Sequence, residues 1–214
     1  MNDPSKKDFL IYFMDKVLIK KASVAAIVEE TGGIGYENDL PWPKLLGDFS
    51  FLKFCTTNQF SLVGDGHLEL EPVPEVEPTV VMGRRTYESI GKRTLPKRRN
   101  VILSSQQQQE DSGVECIRNV KDSPGDLVYF LGGASVYKDA MAMVDAVFLT
   151  KVSRVDGAEI PADVYFPLQE LKEQGFENAL DITAFVQEHL NLAVPLDEGR
   201  FLENGYAYRF FVYF

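Results

Sequence analysis

The chain has 214 residues, a net charge of −10, and hydrophobic (45%) and charged (25%) fractions typical of one large globular domain. The negative charge disfavours nucleic acid or an anionic membrane surface as the main partner, and no apolar run approaches the ~20 residues of a membrane span. The cysteines, Cys55 and Cys116, and the histidines, His67 and His189, are widely separated, so they give neither a disulfide framework nor a metal-ligand set. We predict a cytoplasmic protein without a metal site.

The first 21 residues read as an extension. Apolar side chains recur at helical spacing over residues 6–20, which predicts a short amphipathic helix. Residues 22–28 are small or β-branched and predict a buried strand that opens a domain spanning residues 22–214. Glycines at positions 32, 33 and 35 then favour a loop.

A helix is predicted from about residue 45 to residue 57, after a Pro-Trp-Pro segment at 41–43. It carries Asp48 among mostly apolar neighbours, and burying a carboxylate on such a face is costly unless a partner satisfies it. One interpretation is a structural role at the helix N-terminus, where acids are favoured, and the helix alone favours this role. The other is a cleft carboxylate that binds a cationic or amidine-like ligand.

Residues 60–78 are rich in proline and acidic side chains, and we predict an extended surface insertion without a helix. A strand at 79–82, a helix at 85–90, a strand at 100–103 and a polar loop at 106–111 follow. Seven of the 22 basic residues fall between Arg84 and Arg99. This concentration fits a site for a small anion, and a solvated basic face is the alternative.

A central strand at 127–131 ends at Gly132 and Gly133, and a helix is predicted over 134–143. Strands at 146–152 and 206–214 complete an α/β pattern that predicts a largely parallel sheet, with ligands beyond the carboxyl ends of its strands. The glycine pair lies where backbone N–H groups and a helix dipole can hold phosphate, although such pairs also occur for packing reasons and the GxGxxG fingerprint is absent.

Groups compatible with phosphate follow three strands. They occur in residues 132–135, in the Gly-Arg-Arg-Thr segment at 83–86, and at Ser104 and Ser105. Arginine forks bind phosphate in a bidentate manner and hydroxyls complete the cage, so a dinucleotide with a 2′-phosphate fits. The set therefore favours NADPH over NADH.

In order along the chain, residues 33–42, Asp48, and residues 81–90, 95–104, 132–137, 148–150 and 165–167 resemble motifs of the dihydrofolate reductase family. The resemblance covers about residues 22–167 and the last strand. It implies a mostly parallel sheet flanked by helices, with an antiparallel C-terminal edge strand. It also implies reduction of 7,8-dihydrofolate to tetrahydrofolate, by hydride transfer from NADPH to pterin C6 and protonation at N5, and binding of antifolates.

The resemblance assigns roles residue by residue. The catalytic residues would be Asp48, which binds the pterin 2-amino group and N3, supported by Thr150 and by Trp42 through a water. The predicted substrate residues are Phe49, Leu52, Ile90, Leu95, Arg98, Leu131 and Tyr137, with Arg98 on the α-carboxylate of the glutamate tail. The predicted cofactor residues are Ala26, Ile34, Gly35, Gly83, Arg84, Arg85, Thr86, Ser104, Ser105, Gly132, Gly133, Ala134, Ser135 and Val136.

Some features depart from the family pattern. The first 20 residues and the 60–78 segment are extra, residues 168–203 match poorly, and Lys97 stands where glycine is usual. Because the sequence ends on strand-like residues, a fused or associated thymidylate synthase domain is one expectation. The alternatives are a related pyrimidine reductase, which lacks a Pro-Trp loop coupled to a helix carboxylate, and a folate- or nucleotide-binding module without turnover.

Overall fold

The computed structural model describes residues 16–64, 66–72, 76–105 and 113–214. Its strands are β1 (Lys16–Ile19), β2 (Lys21–Val28), β3 (Gly33–Gly35), β4 (Phe60–Val63), β5 (His67–Leu70), β6 (Thr79–Gly83), β7 (Arg99–Leu103), β8 (Val114–Ile117), β9 (Val128–Phe130), β10 (Ala146–Arg154), β11 (Val164–Tyr165), β12 (Ala179–Asp181), β13 (Leu196–Asp197), β14 (Arg200–Glu203) and β15 (Tyr206–Tyr213). Its helices are α1 (Leu46–Thr57), α2 (Arg84–Ser89), α3 (Ala134–Ala140), α4 (Leu168–Glu173) and α5 (Thr183–Leu190), with 3-10 turns at Val120–Asp122 and Met141–Met143.

The central sheet has the strand order β13-β14-β15-β10-β2-β9-β6-β7-β8. All pairs from β10 to β8 are parallel, so the predicted α/β class with a mostly parallel sheet is confirmed. The C-terminal strand β15 runs antiparallel to β10, as predicted. The short strands β12 and β14 pair with the other side of β15 and continue the antiparallel end of the sheet.

Apolar residues cover both faces of this sheet, because successive side chains of a buried parallel strand point to opposite faces. On one face, the Phe51 ring of α1 packs against Phe148 and Phe210, at centroid distances of 6.3 and 4.2 Å. On the other face, Val136 of α3 joins a cluster with Val81 of β6. The helices predicted at 45–57, 85–90 and 134–143 are present as α1, as α2, and as α3 with the 3-10 turn after it.

A second, antiparallel sheet has the order β1-β4-β5 and corrects two predictions. The helix expected over 6–20 is wrong for Lys16–Ile19, which pair with β4, while residues 1–15 lie outside the described part of the chain. The surface insertion expected at 60–78 is wrong for β4, since Phe60 is fully buried and Leu62 and Val63 are nearly so. Lys16 of β1 forms ion pairs with Glu69 of β5 and with Glu71, just after β5, at 3.1 and 2.7 Å. These ion pairs link the two edge strands of the sheet.

The loop predicted at 106–111 also lies outside the described residues. Within the described ranges, no helix is both long enough and apolar enough to cross a lipid bilayer.

Candidate active site

A loop between β2 and α1 leads to the predicted catalytic residues. Ile34 and Gly35 lie in β3, which pairs with β11, and the amide N–H of Glu37 donates to the Asp163 carboxylate at 2.9 Å. A side chain at Gly33 would place its Cβ 2.3 Å from the Cβ of Ala162, so only glycine permits this close approach. These contacts fix the loop that ends at Trp42.

Asp48 lies in the first turn of α1 and is partly buried. Burial raises the pKa of its carboxyl to about 6, the nearby Thr150 hydroxyl lowers this pKa, and the negative charge of Glu203 raises it. A carboxyl with a pKa near 6 can hold and release a proton close to neutral pH, which suits an acid–base role. The residue that accepts hydrogen bonds from the amides at the N-terminus of α1 is Glu203, described below.

Four buried side-chain polar groups have no hydrogen-bond partner among the described residues: the indole N–H of Trp42 and the hydroxyls of Ser23, Thr79 and Thr150. Of these, Thr150 lies close enough to Asp48 to lower the pKa of its carboxyl. Thr150 pairs in the sheet with Ala26 of β2 on one side and Phe210 of β15 on the other. Because most buried polar groups are satisfied, the Thr150 hydroxyl suits a polar ligand that binds beside Asp48.

The predicted apolar substrate residues come from several elements. Phe49 of α1 is 38% exposed, with the Lys44 ammonium 5.3 Å from its ring centroid. Four further predicted residues are partly buried and pack against the large core cluster beneath α1: Leu52, Ile90, Leu95 and Leu131. Partly exposed apolar side chains around a buried polar centre are typical of a ligand pocket.

Arg98 is a buried cation, with only 7% of its surface exposed. Its Nε donates to the Pro96 carbonyl at 3.0 Å and its Nη1 to the Thr56 hydroxyl at 2.7 Å. No carboxylate of the described residues pairs with it, and burial lowers its pKa. A buried, oriented guanidinium without an acidic partner is suited to bind an anion. The preceding residue, Lys97, has φ of 61°, the left-handed conformation that glycine adopts most easily.

Tyr137 lies on the opposite side of β2 from α1. Its hydroxyl donates to the Val24 carbonyl at 2.8 Å, and its ring packs against Phe166 at 4.9 Å. A side chain at Gly132 would meet this ring at 2.9 Å, so glycine there permits the tyrosine to pack under the end of β9. Burial, and then the Asp48 charge, raise the pKa of Tyr137, which links it electrostatically to the carboxyl.

The predicted cofactor groups at the ends of β6 and β9 are neighbours. The Gly83 amide donates to the Gly132 carbonyl at 2.6 Å, and the peptide bond between Gly132 and Gly133 is cis. A Cβ on Gly83 would lie 3.4 Å from Val136, and one on Gly133 would lie 3.7 Å from the Thr86 hydroxyl. Helix α3 starts directly after this pair, at Ala134 and the exposed Ser135.

The basic and hydroxyl groups lie one strand further along. Gly83 pairs with Leu103 in the β6–β7 register, so the start of α2 and the Ser104-Ser105 pair leave adjacent strand ends. Arg84 forms an ion pair with Glu88 at 2.8 Å, whereas the exposed Arg85 forms none among the described residues. Arg85 is therefore the guanidinium of this segment that is available to a ligand.

Two residues outside the predicted set contribute to the site. Asp163 holds the loop before Trp42, and Glu203 of β14 accepts hydrogen bonds from the Leu46 and Gly47 amides at 2.7 and 3.2 Å. The sequence carried one signal for Glu203: Leu45 precedes α1 and has no side-chain oxygen to cap it, so the cap had to come from elsewhere.

No group of three or more His, Cys, Asp or Glu residues in the described ranges could hold a metal ion. The carboxyl, the orphaned polar groups and the glycine-lined strand ends all lie at or beyond the sheet. An α/β fold with a parallel sheet is typical of enzymes that bind ligands at the carboxyl ends of the strands.

Comparisons with known proteins identify the family. Residues 75–192, more than half of the chain, match the family model for dihydrofolate reductase. The chain is 34% identical over 137 residues to a dihydrofolate reductase of Staphylococcus aureus, covering 63% of this chain and 70% of that protein. It is 32% identical over 139 residues to one of Bacillus subtilis, covering 63% and 68%. The chain therefore belongs to the dihydrofolate reductase family of oxidoreductases.

Proposed function

We propose that this enzyme reduces 7,8-dihydrofolate to 5,6,7,8-tetrahydrofolate and that NADPH is the electron donor. The observation that carries the proposal is the Asp48 carboxyl, with its pKa raised to about 6, close to the buried Thr150 hydroxyl. The buried indole N–H of Trp42, in the loop that precedes α1, is also unpartnered among the described residues. A pterin presents an amidine-like edge, formed by its 2-amino group and N3, to such a carboxyl. Trp42 and Asp48 lie before the segment that matches the family model, so their roles need a direct test.

The rest of the substrate finds complementary groups nearby. Phe49, Leu52, Ile90, Leu95 and Leu131 offer apolar surface to the pterin and aminobenzoyl rings. Arg98 offers a buried guanidinium to the α-carboxylate of the glutamate tail. Tyr137 supports this pocket from behind by packing against Gly132 at the end of β9.

The strand ends of β6, β7 and β9 fit a dinucleotide. Gly83, Gly132 and Gly133 bring the ends of β6 and β9 together without intervening side chains, and Ala134, Ser135 and Val136 begin a helix directly after them. The free N–H groups at the start of a helix can bind phosphate. Arg85, Thr86, Ser104 and Ser105 supply the cation and hydroxyls that a 2′-phosphate requires. Ala26, Ile34 and Gly35 would contact the nicotinamide end, and Arg84 would assist from beside its Glu88 partner.

The chain's own residues have separable tasks in this reaction. NADPH, when bound, supplies the hydride for pterin C6. Asp48 orients the pterin and, with a pKa near 6, holds a proton that reaches N5 through an intervening water. The loop ending at Trp42 and the apolar residues of α1 exclude bulk water from the pocket and thereby fix the geometry of transfer.

The test is absorbance-detected oxidation of NADPH by the purified chain, with and without dihydrofolate. We expect oxidation to require dihydrofolate and to yield tetrahydrofolate, identified by chromatography, at one mole per mole of NADPH. Bound NADPH and bound dihydrofolate without turnover would contradict the proposal and identify a binding module.

A further inference from the structure

The first turn of α1 is held by a carboxylate that comes from a distant part of the chain. Glu203 Oε1 accepts from the Leu46 amide at 2.7 Å, and Oε2 accepts from the Gly47 amide at 3.2 Å. These amides are two of the four N–H groups that a helix leaves unsatisfied at its start. Since Asp48 is the next residue, the carboxylate binds the same helical turn that carries the acid.

Two neighbours of Glu203 strengthen this contact. The Tyr208 hydroxyl donates to Glu203 Oε2 at 3.0 Å, and the Asn204 side-chain amide donates to the Lys44 carbonyl at 2.9 Å. A Cβ on Gly47 would lie 2.0 Å from the Tyr208 hydroxyl, so glycine at position 47 is what allows Tyr208 to reach Glu203. We call Glu203, Asn204 and Tyr208 the β14–β15 clamp.

Glu203 differs from the other described groups that affect the pKa of Asp48 because it carries a charge. The other titratable groups coupled to this carboxyl are Cys55 on α1, Tyr137 on α3 and Tyr208 on β15. Burial raises the pKa of each of these three groups, so they are neutral at neutral pH and contribute little charge. Thr150 on β10 contributes a neutral hydroxyl.

We propose that Glu203 is a positioning residue for Asp48: it fixes the turn that carries the acid, and its negative charge disfavours ionisation of that acid. The catalytic meaning of this inference rests on the proposed function. The electrostatic part does not, because Asp48 titrates in the free protein. A like charge disfavours ionisation of a neighbouring carboxyl, which agrees in sign with the raised pKa of Asp48.

A purely structural cap would behave differently from a charged positioning residue. Glu203→Gln keeps an oxygen acceptor for the helix amides and removes the charge, whereas Glu203→Asp keeps the charge on a shorter side chain. Glu198→Gln is a matched control, because Glu198 is an exposed residue of the preceding turn that pairs with Arg200. If the charge of Glu203 matters, only Glu203→Gln changes the titration of Asp48.

The experiment is a carbon-13 NMR titration of the aspartate carboxyls in the free protein, with the Asp48 signal assigned by its absence in Asp48→Asn. We expect the midpoint of Asp48 to fall by about half a pH unit or more in Glu203→Gln, and to move by less than about 0.2 units in Glu203→Asp and Glu198→Gln. The pH at which kcat/KM declines on the alkaline side shifts by the same amount. An unchanged Asp48 midpoint in folded Glu203→Gln overturns the proposal.

Hydrogen exchange in the wild-type chain tests the clamp without a variant, in case Glu203→Gln does not fold. We expect the Leu46 and Gly47 amides to exchange about tenfold or more slowly than unprotected amides, although they lie in the first turn of a helix. Unprotected exchange there overturns the clamp. If the Asp48 midpoint shifts in Glu203→Gln but the wild-type chain does not reduce dihydrofolate, the role of Glu203 stands and the proposed function is wrong. Failure of one proposal can therefore be told apart from failure of the other.

Discussion

The two halves of the site are built in different ways. The proposed pterin half uses side chains from distant elements, namely Asp48 from α1, Thr150 from β10 and Arg98 before β7. The proposed cofactor half uses the backbone at adjacent strand ends, where the Gly83 amide donates to the Gly132 carbonyl at 2.6 Å. The comparison shows that the first half depends on single polar groups whose charge is set by their surroundings, whereas the second depends on close backbone packing and local motifs.

Among the effects on ligand binding, the largest should come from Arg98, on the proposed pterin half. Arg98→Gln removes a buried cation that has no acidic partner among the described residues. We expect the KM for dihydrofolate to rise by about 10- to 100-fold, since hydrogen bonds to charged groups contribute about 1.5–3 kcal/mol. The KM for a dihydropterin without the glutamate tail should change by less than about threefold. Steady-state kinetics with both substrates measure this.

The control for Arg98 is Arg99→Gln, which removes an exposed cation paired with Glu115. If both variants, or both substrates, lose affinity equally, Arg98 does not recognise the tail.

The second prediction concerns the energetic cost of the raised pKa of Asp48. The folded-state value of about 6 exceeds the usual 3.8, so the folded state binds the proton more tightly, and stability falls as the pH rises through that window. Asp48→Asn cannot ionise and should be more stable than the wild type by about 1–3 kcal/mol at pH 8. Denaturant unfolding measures this difference.

At pH 4 most of the gain should disappear, because Asp48 is then protonated in the folded state and only partly ionised in the unfolded state. A stability difference of the same size at both pH values would show that packing, rather than ionisation, distinguishes the two side chains.

The two halves of the site also differ in how well the sequence predicts them. Gly132, Gly133 and the Arg84-Arg85 pair lie in short local motifs at the ends of apolar runs, and their elements are present within a residue or so of the prediction. The roles of the individual site residues stay predictions, as does a fused thymidylate synthase domain.

Contacts between distant segments were not predictable. Glu203 binds Leu46 across 157 positions, and nothing local to either residue specifies the other. The strand β1 was predicted as helix because its apolar residues also fit helical spacing, and only pairing with β4 across the chain decides between the two.

The smallest effect should come from Arg85, on the cofactor half. Because the backbone contributes most of that half, Arg85→Gln should lower the preference for NADPH over NADH by only about tenfold, with dihydrofolate binding unchanged. Ratios of kcat/KM for the two cofactors measure this. Lys172→Gln, an exposed cation on α4, is the control. An unchanged ratio of kcat/KM for NADPH and NADH would show that Arg85 does not bind the 2′-phosphate.

The most direct test of the division between the two halves is Asp48→Asn, measured for NADPH affinity by fluorescence and for turnover with dihydrofolate, with the exposed Asp197→Asn as a control. The account predicts an NADPH Kd within about threefold of the wild type and a turnover lower by about 100- to 10,000-fold, the range of a lost acid–base group. Full turnover, or an equal loss of turnover and of NADPH binding, would contradict it.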